Sequence, residues 1–249
     1  MQRILAMGYG LVAYLIFFAT FLWLVAFAAD IAIFPTTVND AVGGAPIATA
    51  LIIDIALIAL FGVQHSVMAR PAFKARWTRI VPTSVERSTY VLAASMVLAL
   101  LLWQWRPIEG TIWDVRGSAV EPFIWALFAI GWAVLFISTY LINHFELFGL
   151  SQAWAHGRPP NPAPPTLREP LFYRYARHPI YLGFSIAFWA TPHMTVGHLV
   201  FAAGMQIYIF IGIAHEERDL VAYFGPAYDD YRKRVGMLIP GIGRRRTSA

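Results

Sequence analysis

Residues 180–214 read IYLGFSIAFWATPHMTVGHLVFAAGMQIYIFIGIA, thirty-five residues without a single charged side chain. As one helix they would reach about 52 Å at ~1.5 Å per residue, against a hydrocarbon core of ~30 Å. Thr191-Pro192-His193 and Gly197-His198 interrupt the run. Proline removes a rung of the helical ladder and glycine loosens it. The stretch therefore predicts a hairpin of two helices, over 180–190 and 195–214, with one steeply tilted helix as the alternative.

Four further apolar runs are long enough to span a bilayer: 8–29, 47–68, 85–105 and 122–143. The expected fold class is an all-α polytopic membrane helix bundle of five to six spans, ending in a short amphipathic C-terminal tail. Composition agrees. Hydrophobic residues make up 58% of the 249 and charged residues 13%, whereas soluble domains carry about 25% charged. Intrinsic disorder is excluded by the same apolar excess. There are no cysteines, hence no disulfide, no thiolate metal ligand and no cysteine nucleophile. Arg3 precedes the first run and Ala26-Phe27-Ala28 has the look of a cleavage site. The run is far longer than the ~7–15 residues of a signal h-region, so a retained helix is expected.

The net charge of +5 lies in clusters between the spans. Arg70, Lys74, Arg76 and Arg79 follow the second span. Arg158, Arg168, Arg174 and Arg177 follow the fourth. Arg232, Lys233, Arg234 and Arg244-Arg245-Arg246 close the chain. The loop 30–46 has no Lys or Arg, and 106–121 has only Arg106 and Arg116. Such clusters report orientation before they suggest nucleic acid, so no nucleic-acid partner is expected. Positive-inside counting places the N-terminus and the tail in the cytoplasm of an inner membrane, which requires the last region to go in and come back. The stretch 157–170, GRPPNPAPPTLREP, is expected to be a semi-rigid connector. Beyond the hairpin, Leu220, Tyr223 and Phe224 have the i, i+3, i+4 spacing of an amphipathic helix, which Gly225-Pro226 breaks before 227–235 restarts. The whole chain is read as one membrane domain, with 1–143 as a four-helix part and 144–249 carrying the site loop, hairpin and tail.

Ionisable groups at or inside spans are costly and are candidates for function. Three clusters qualify. Tyr173-Arg174-Tyr175-Ala176-Arg177-His178-Pro179-Ile180-Tyr181-Leu182-Gly183 leads into a helix whose free first-turn N–H groups, with Arg177 and His178, can face an anion, with Gly183 permitting close approach of a ligand or a second helix. Glu216-Glu217-Arg218-Asp219 puts two carboxylates near the expected C-terminal end of the last span. The macrodipole opposes them there, so a cationic partner is expected, either an arginine (Arg177 or Arg218) or a ligand. Gln64-His65 and Asn143-His144-Phe145-Glu146 lie at the ends of two other spans. The competing readings are bland: a snorkelling basic-aromatic boundary, a solvated helix end, and histidines that are hydrogen-bonded core residues.

Arg177-His178-Pro179-Ile180-Tyr181-Leu182-Gly183, followed by Glu216-Glu217-Arg218-Asp219-Leu220 and by Phe224-Gly225-Pro226-Ala227-Tyr228-Asp229-Asp230-Tyr231, resembles the isoprenylcysteine carboxyl methyltransferase-type membrane family. Gln64-His65-Ser66, Glu86-Arg87-Ser88-Thr89-Tyr90, Trp103-Gln104-Trp105-Arg106-Pro107, Asn143-His144-Phe145-Glu146 and Pro192-His193-Met194 are similar to its bacterial methanethiol S-methyltransferase subgroup. NnrU-like membrane proteins share part of the pattern. The resemblance implies S-adenosylmethionine as methyl donor and a small thiol as acceptor, with methanethiol becoming dimethyl sulfide. It implies that Arg177, His178, Tyr181, Gly183, Glu216, Glu217, Tyr228 and Tyr231 bind the donor. The acceptor must react as a thiolate, for which His144 and His65 are candidate bases, Glu146 a residue to orient one of them and Arg177 a positive field. No metal is expected. Two alternatives stand beside it: methylation of a lipid or prenylated substrate, and a non-enzymatic haem-binding bundle using histidines in or near spans.

Overall fold

A computed structural model describes residues 2–40, 45–157 and 166–243. Its elements in order are α1 (Gln2–Ala28), α2 (Ile47–Ala69), α3 (Pro71–Trp77), α4 (Thr83–Gln104), β1 (Thr111–Asp114), α5 (Glu121–Ile142), α6 (His144–Leu147), α7 (Leu150–Trp154), a 3-10 turn (Leu171–Arg174), α8 (Pro179–Trp189), β2 (His193–Thr195), α9 (Val196–Phe224) and α10 (Pro226–Arg234). The fold is an all-α membrane bundle. Among the described residues five helices, α1, α2, α4, α5 and α9, are long and apolar enough to cross a bilayer. Their outward faces carry large apolar side chains such as Ile52, Ile55, Phe123 and Ile207. In water that would be a liability, but in lipid it is the favoured solvent contact, and the helical backbone satisfies its own hydrogen bonds.

The last apolar region is indeed two helices. α8 has eleven residues, about 16 Å, too short to span alone. After the break at Thr191-Pro192 comes the short strand β2, which the apolar pattern does not announce. β2 pairs antiparallel with β1, Thr195 opposite Thr111 and His193 opposite Asp114. The pairing satisfies backbone groups that a broken helix would otherwise leave bare. The second helix runs ten residues beyond the predicted end at 214, to Phe224. Glu216 and Glu217 thus lie two turns inside α9, and the expected conflict with a helix C-terminus does not arise. The stretch read as a separate amphipathic helix is the end of α9. Leu220, Val221 and Phe224 pack on Tyr228, Tyr231 and Val235. Tyr223 points outward instead, 65% exposed. Of the connector 157–170 and the basic terminus, residues 158–165 and 244–249 lie outside the described residues.

The chain forms two compact units interleaved in sequence. The first comprises Met1–Asp114, Phe145–Pro159 and His193–Gly204; the second comprises Val115–His144, Pro160–Pro192 and Met205–Ala249. In the first, α4 is central, packed by α1, α2 and α7. Gly149 (φ +89) seats the turn before α7 on Ser88, whose backbone N would lie 2.6 Å from a Cβ there. Only glycine tolerates both the left-handed φ and that approach. At the other end of α4, Thr36 Oγ1 donates to the Leu102 carbonyl (2.7 Å), Trp105 Nε1 to the Val38 carbonyl (3.2 Å), and the Arg106 amide to buried Asp54 Oδ1 (2.9 Å). These bonds close the helix end where the backbone runs out of internal partners.

In the second unit, α5 and α8 pack backbone to backbone. A Cβ on Gly131 would meet the Gly183 carbonyl at 2.9 Å and the Ala187 amide at 2.8 Å, and one on Gly183 would meet the Gly131 carbonyl at 2.6 Å. Small residues let apolar helices approach and gain dispersion contact where lipid supplies no hydrophobic force. Trp132 then wedges edge-on against Phe184 and Phe188. The close approach foreseen at Gly183 is therefore made by a helix. As numbering rises from 131 to 135 along α5, the partners fall from 187 to 183, so the two helices are antiparallel. The C-terminal end of α5, with Asn143 and His144, lies at the same end of the pair as Arg177 and His178.

Candidate functional site

Pro179 occupies the first turn of α8, with His178 as the residue before it. Its missing N–H is one that a helix start cannot use anyway. The chain leaves this point along α8 and comes back along α9 far enough for Glu217 to reach it. One carboxylate oxygen, Glu217 Oε1, accepts from Arg177 Nε at 2.7 Å and from His178 Nε2 at 3.2 Å, and lies 2.7 Å from Arg177 Nη2. Charge-assisted bonds of this length are about twice as strong as neutral ones. Glu217 Oε2 faces Arg232 Nη1 at 3.8 Å, and Glu216 Oε2 lies 3.8 Å from His178 Nδ1. The two stretches expected to meet, 177–178 and 216–217, do meet.

The tail is fastened to the same residues. The amides of Arg177 and His178 donate to the carbonyls of Gly236 (2.9 Å) and Met237 (3.1 Å). Arg177 Nη1 donates to the carbonyls of Val235 (2.6 Å), Arg232 (3.3 Å) and Gly243 (3.3 Å). Gly236 has no room for a side chain, since a Cβ would sit 2.1 Å from the Ile239 carbonyl. Arg177 is buried, with every guanidinium nitrogen engaged. Its charge is matched by Glu217, and its remaining donors hold the tail.

Tyr228 and Tyr231 on α10 are both 2% exposed. Tyr231 donates to the Tyr173 carbonyl at 2.5 Å. The hydroxyls of Tyr173 and Tyr228 and the Nε of Arg232 are buried with no hydrogen-bond partner among the described residues. Burial, reinforced by the charge of Glu216, pushes the Tyr173 phenol up. Burial and the charge of Glu217 do the same for Tyr228. Both stay neutral hydroxyls able to donate. Buried donors left over beside two carboxylates are costly to the fold and are what a polar ligand would satisfy. Tyr181 stands with its ring 5.7 Å from that of His178.

The other expected residues divide between the units. His144 belongs to the second unit, with all the residues just described. Its Nδ1 is 2.8 Å from Thr139 Oγ1 and its ring stacks on Tyr140 at 4.2 Å. Burial lowers its pKa from the ordinary imidazole value. His65 and Glu146 belong to the first unit. His65 Nε2 shares a 2.8 Å hydrogen bond with the Tyr90 hydroxyl, over whose ring Arg87 lies at 4.9 Å. Glu146 is exposed at the surface.

Sequence reasoning included Tyr173 in its first cluster without giving it a role, and it missed Thr139, Arg232 as a partner of Glu217, and the carbonyls at 235–243. Tyr173 sits four residues before Arg177 and Arg232 one after Tyr231, so proximity to the motifs was the available signal. A backbone carbonyl has none. Among the described residues, no group of three or more His, Asp or Glu could hold a metal ion.

The helical membrane bundle thus collects an arginine, a histidine, two carboxylates and unsatisfied tyrosine hydroxyls at one helix end. Residues 54–238 match the family model described as NnrU protein. The chain is 50% identical over 240 residues to the methanethiol S-methyltransferase of Mycobacterium tuberculosis, covering 96% of this chain and 98% of that one. It is 50% identical over 238 residues to methanethiol S-methyltransferase 1 of Bradyrhizobium diazoefficiens (96% and 83%) and 45% identical over 245 residues to the Crocosphaera subtropica methanethiol S-methyltransferase (98% and 95%). No solved structure matches it. The chain belongs to the NnrU family, within the branch of methyltransferases that these relatives represent.

Proposed function

We propose that the protein methylates methanethiol to dimethyl sulfide with S-adenosylmethionine as donor, at the cytoplasmic face of a bacterial inner membrane. The observation that carries this reading is the meeting of Arg177 and His178 with Glu217, beside buried hydroxyls that lack a partner. The residues fit the donor's polar groups: Glu216 its ammonium, Arg232 its carboxylate, the Tyr173 and Tyr228 hydroxyls its remaining oxygens and nitrogens. When bound, the donor supplies an electrophilic methyl on a sulfonium. The thiolate sulfur forms the new bond to carbon as the sulfonium–carbon bond breaks, and the thiol proton goes to a base. Charge is lost in the reaction, so the protein's main contribution is alignment, worth up to ~7–11 kcal/mol in favourable cases.

His144 is the base on this reading, because it shares the second unit with the donor residues and lies at their end of the α5–α8 pair. A buried neutral imidazole has the lone pair that deprotonation requires. His178 orients Glu217, and Arg177 holds the tail in place behind it. The basic segments face the cytoplasm, from which a charged donor arrives, and the small apolar thiol comes through lipid.

The test is purified protein in nanodiscs with S-adenosylmethionine and methanethiol, following dimethyl sulfide in the headspace. Stoichiometric dimethyl sulfide is expected, with hydrogen sulfide and a prenylcysteine as comparison acceptors. No dimethyl sulfide, with methyl transfer to the prenylcysteine, would overturn the substrate assignment.

A further inference from the structure

α5 ends abruptly at Asn143 (φ 174, ψ 90). This extended residue turns the chain so that the next side chain folds back over the last turn of α5. The His144 ring, 4% exposed, lies flat on Tyr140 (4.2 Å between centroids, 9° between planes) and edge-on to Phe136 (5.8 Å, 67°). Two ring contacts thus fix the ring plane, and the third contact is Thr139 Oγ1 at 2.8 Å from Nδ1.

The direction of that last hydrogen bond can be deduced. Thr139 has one hydroxyl proton, and its oxygen is 2.7 Å from the Phe136 carbonyl. A carbonyl only accepts, so a bond there needs the threonine proton. Were that proton turned to His144 instead, two lone-pair-bearing oxygens would face each other at hydrogen-bond distance with nothing between them. Directed at Phe136, the proton leaves the Thr139 oxygen free to accept from Nδ1–H, and both bonds form. A neutral ring protonated at Nδ1 carries its lone pair at Nε2. We propose that Thr139 is a positioning residue that holds His144 as the Nδ1–H tautomer, so that Nε2 is the atom that takes the proton of the thiol. The proposal rests on the reading of His144 as base. The balance is simple: the S–H bond breaks, its proton moves to Nε2, and the thiolate keeps the electron pair.

The test uses full-length protein in bilayers labelled with 15N-histidine, the His144 signals being assigned by their loss in His144→Gln. Wild type and Thr139→Ser are expected to show a protonated Nδ1 and a bare Nε2 at His144. Thr139→Val, similar in shape but without the hydroxyl, is expected to gain the Nε2–H tautomer. It should lose about tenfold or more in kcat, within the range of general base catalysis, with the donor KM unchanged, and Ser should restore the rate. An Nε2–H tautomer in wild type, or a Val variant with unaltered ring signals and kcat, would overturn the proposal. Failure of the base assignment reads out separately, as full turnover by His144→Gln, while the nitrogen spectra still judge what Thr139 does to the ring.

Discussion

Arg177 and Glu217, forty residues apart in sequence, are joined through two guanidinium nitrogens that converge on one carboxylate oxygen at 2.7 Å each. The arginine side chain is 3% exposed and the glutamate 15%. The pair closes a loop that begins at α8 and returns on α9, and the remaining arginine donors hold the tail.

Removing either partner strands a buried charge. Arg177→Ala and Glu217→Ala should each destabilise the protein by about 3–5 kcal/mol. Arg177→Lys should recover little, since an ammonium cannot serve the carboxylate and three carbonyls in fixed directions. Thermal unfolding in detergent, with the double variant completing a cycle, measures this. A near-additive double variant would deny that the two residues interact.

Tyr173→Phe and Tyr228→Phe delete hydroxyls that have no protein partner among the described residues. Each should leave the melting temperature unchanged or raised, because an unmet buried donor costs about 1–3 kcal/mol. Each should at the same time weaken donor binding several-fold, read by calorimetry with S-adenosylmethionine. Unchanged affinity in both would remove these hydroxyls from the binding site.

Gly183→Ala places a methyl 2.6 Å from the Gly131 carbonyl, a backbone atom that cannot swing aside. The α5–α8 pair must separate, at about 1–3 kcal/mol for overpacking. Turnover should fall with stability, because the pair sets the level of His144 against His178. Gly8→Ala, where nothing lies within 4 Å, is the control and should be silent.

Acid should act through His144. Burial lowers its pKa in the folded protein, so the unfolded chain takes up the proton first as pH falls. The stability it contributes is complete above the ordinary imidazole pKa and is lost progressively as pH drops from there toward the folded value. His144→Gln should flatten that part of the stability profile. A profile of the same slope in the variant would assign the acid sensitivity elsewhere.

The spans were legible because each is a continuous apolar run, and so was the break at 191–195, because proline cannot continue a ladder. The end of α9 was not. Residues 215–224 are charged enough to look like a helix leaving the membrane, and only the packing of Leu220, Val221 and Phe224 on Tyr228, Tyr231 and Val235 keeps them in one piece with the span. Thr139 was hidden inside an apolar run, where a threonine ordinarily bonds its own helix.

Sequence by itself determined that this is a membrane bundle, where its spans lie, and that 177–183 and 216–231 gather polar residues at helix ends. Hydrophobicity adds up residue by residue over the thickness of a bilayer, and the motifs are short and local. Only the tertiary structure decided that Glu217 rather than Glu216 takes Arg177, that Gly183 packs against a helix, and that His144 shares a unit with Arg177, His178 and Glu217 while His65 does not. Those outcomes depend on which side chains long-range packing brings within 3 Å, and on backbone carbonyls that look the same at every position of a sequence.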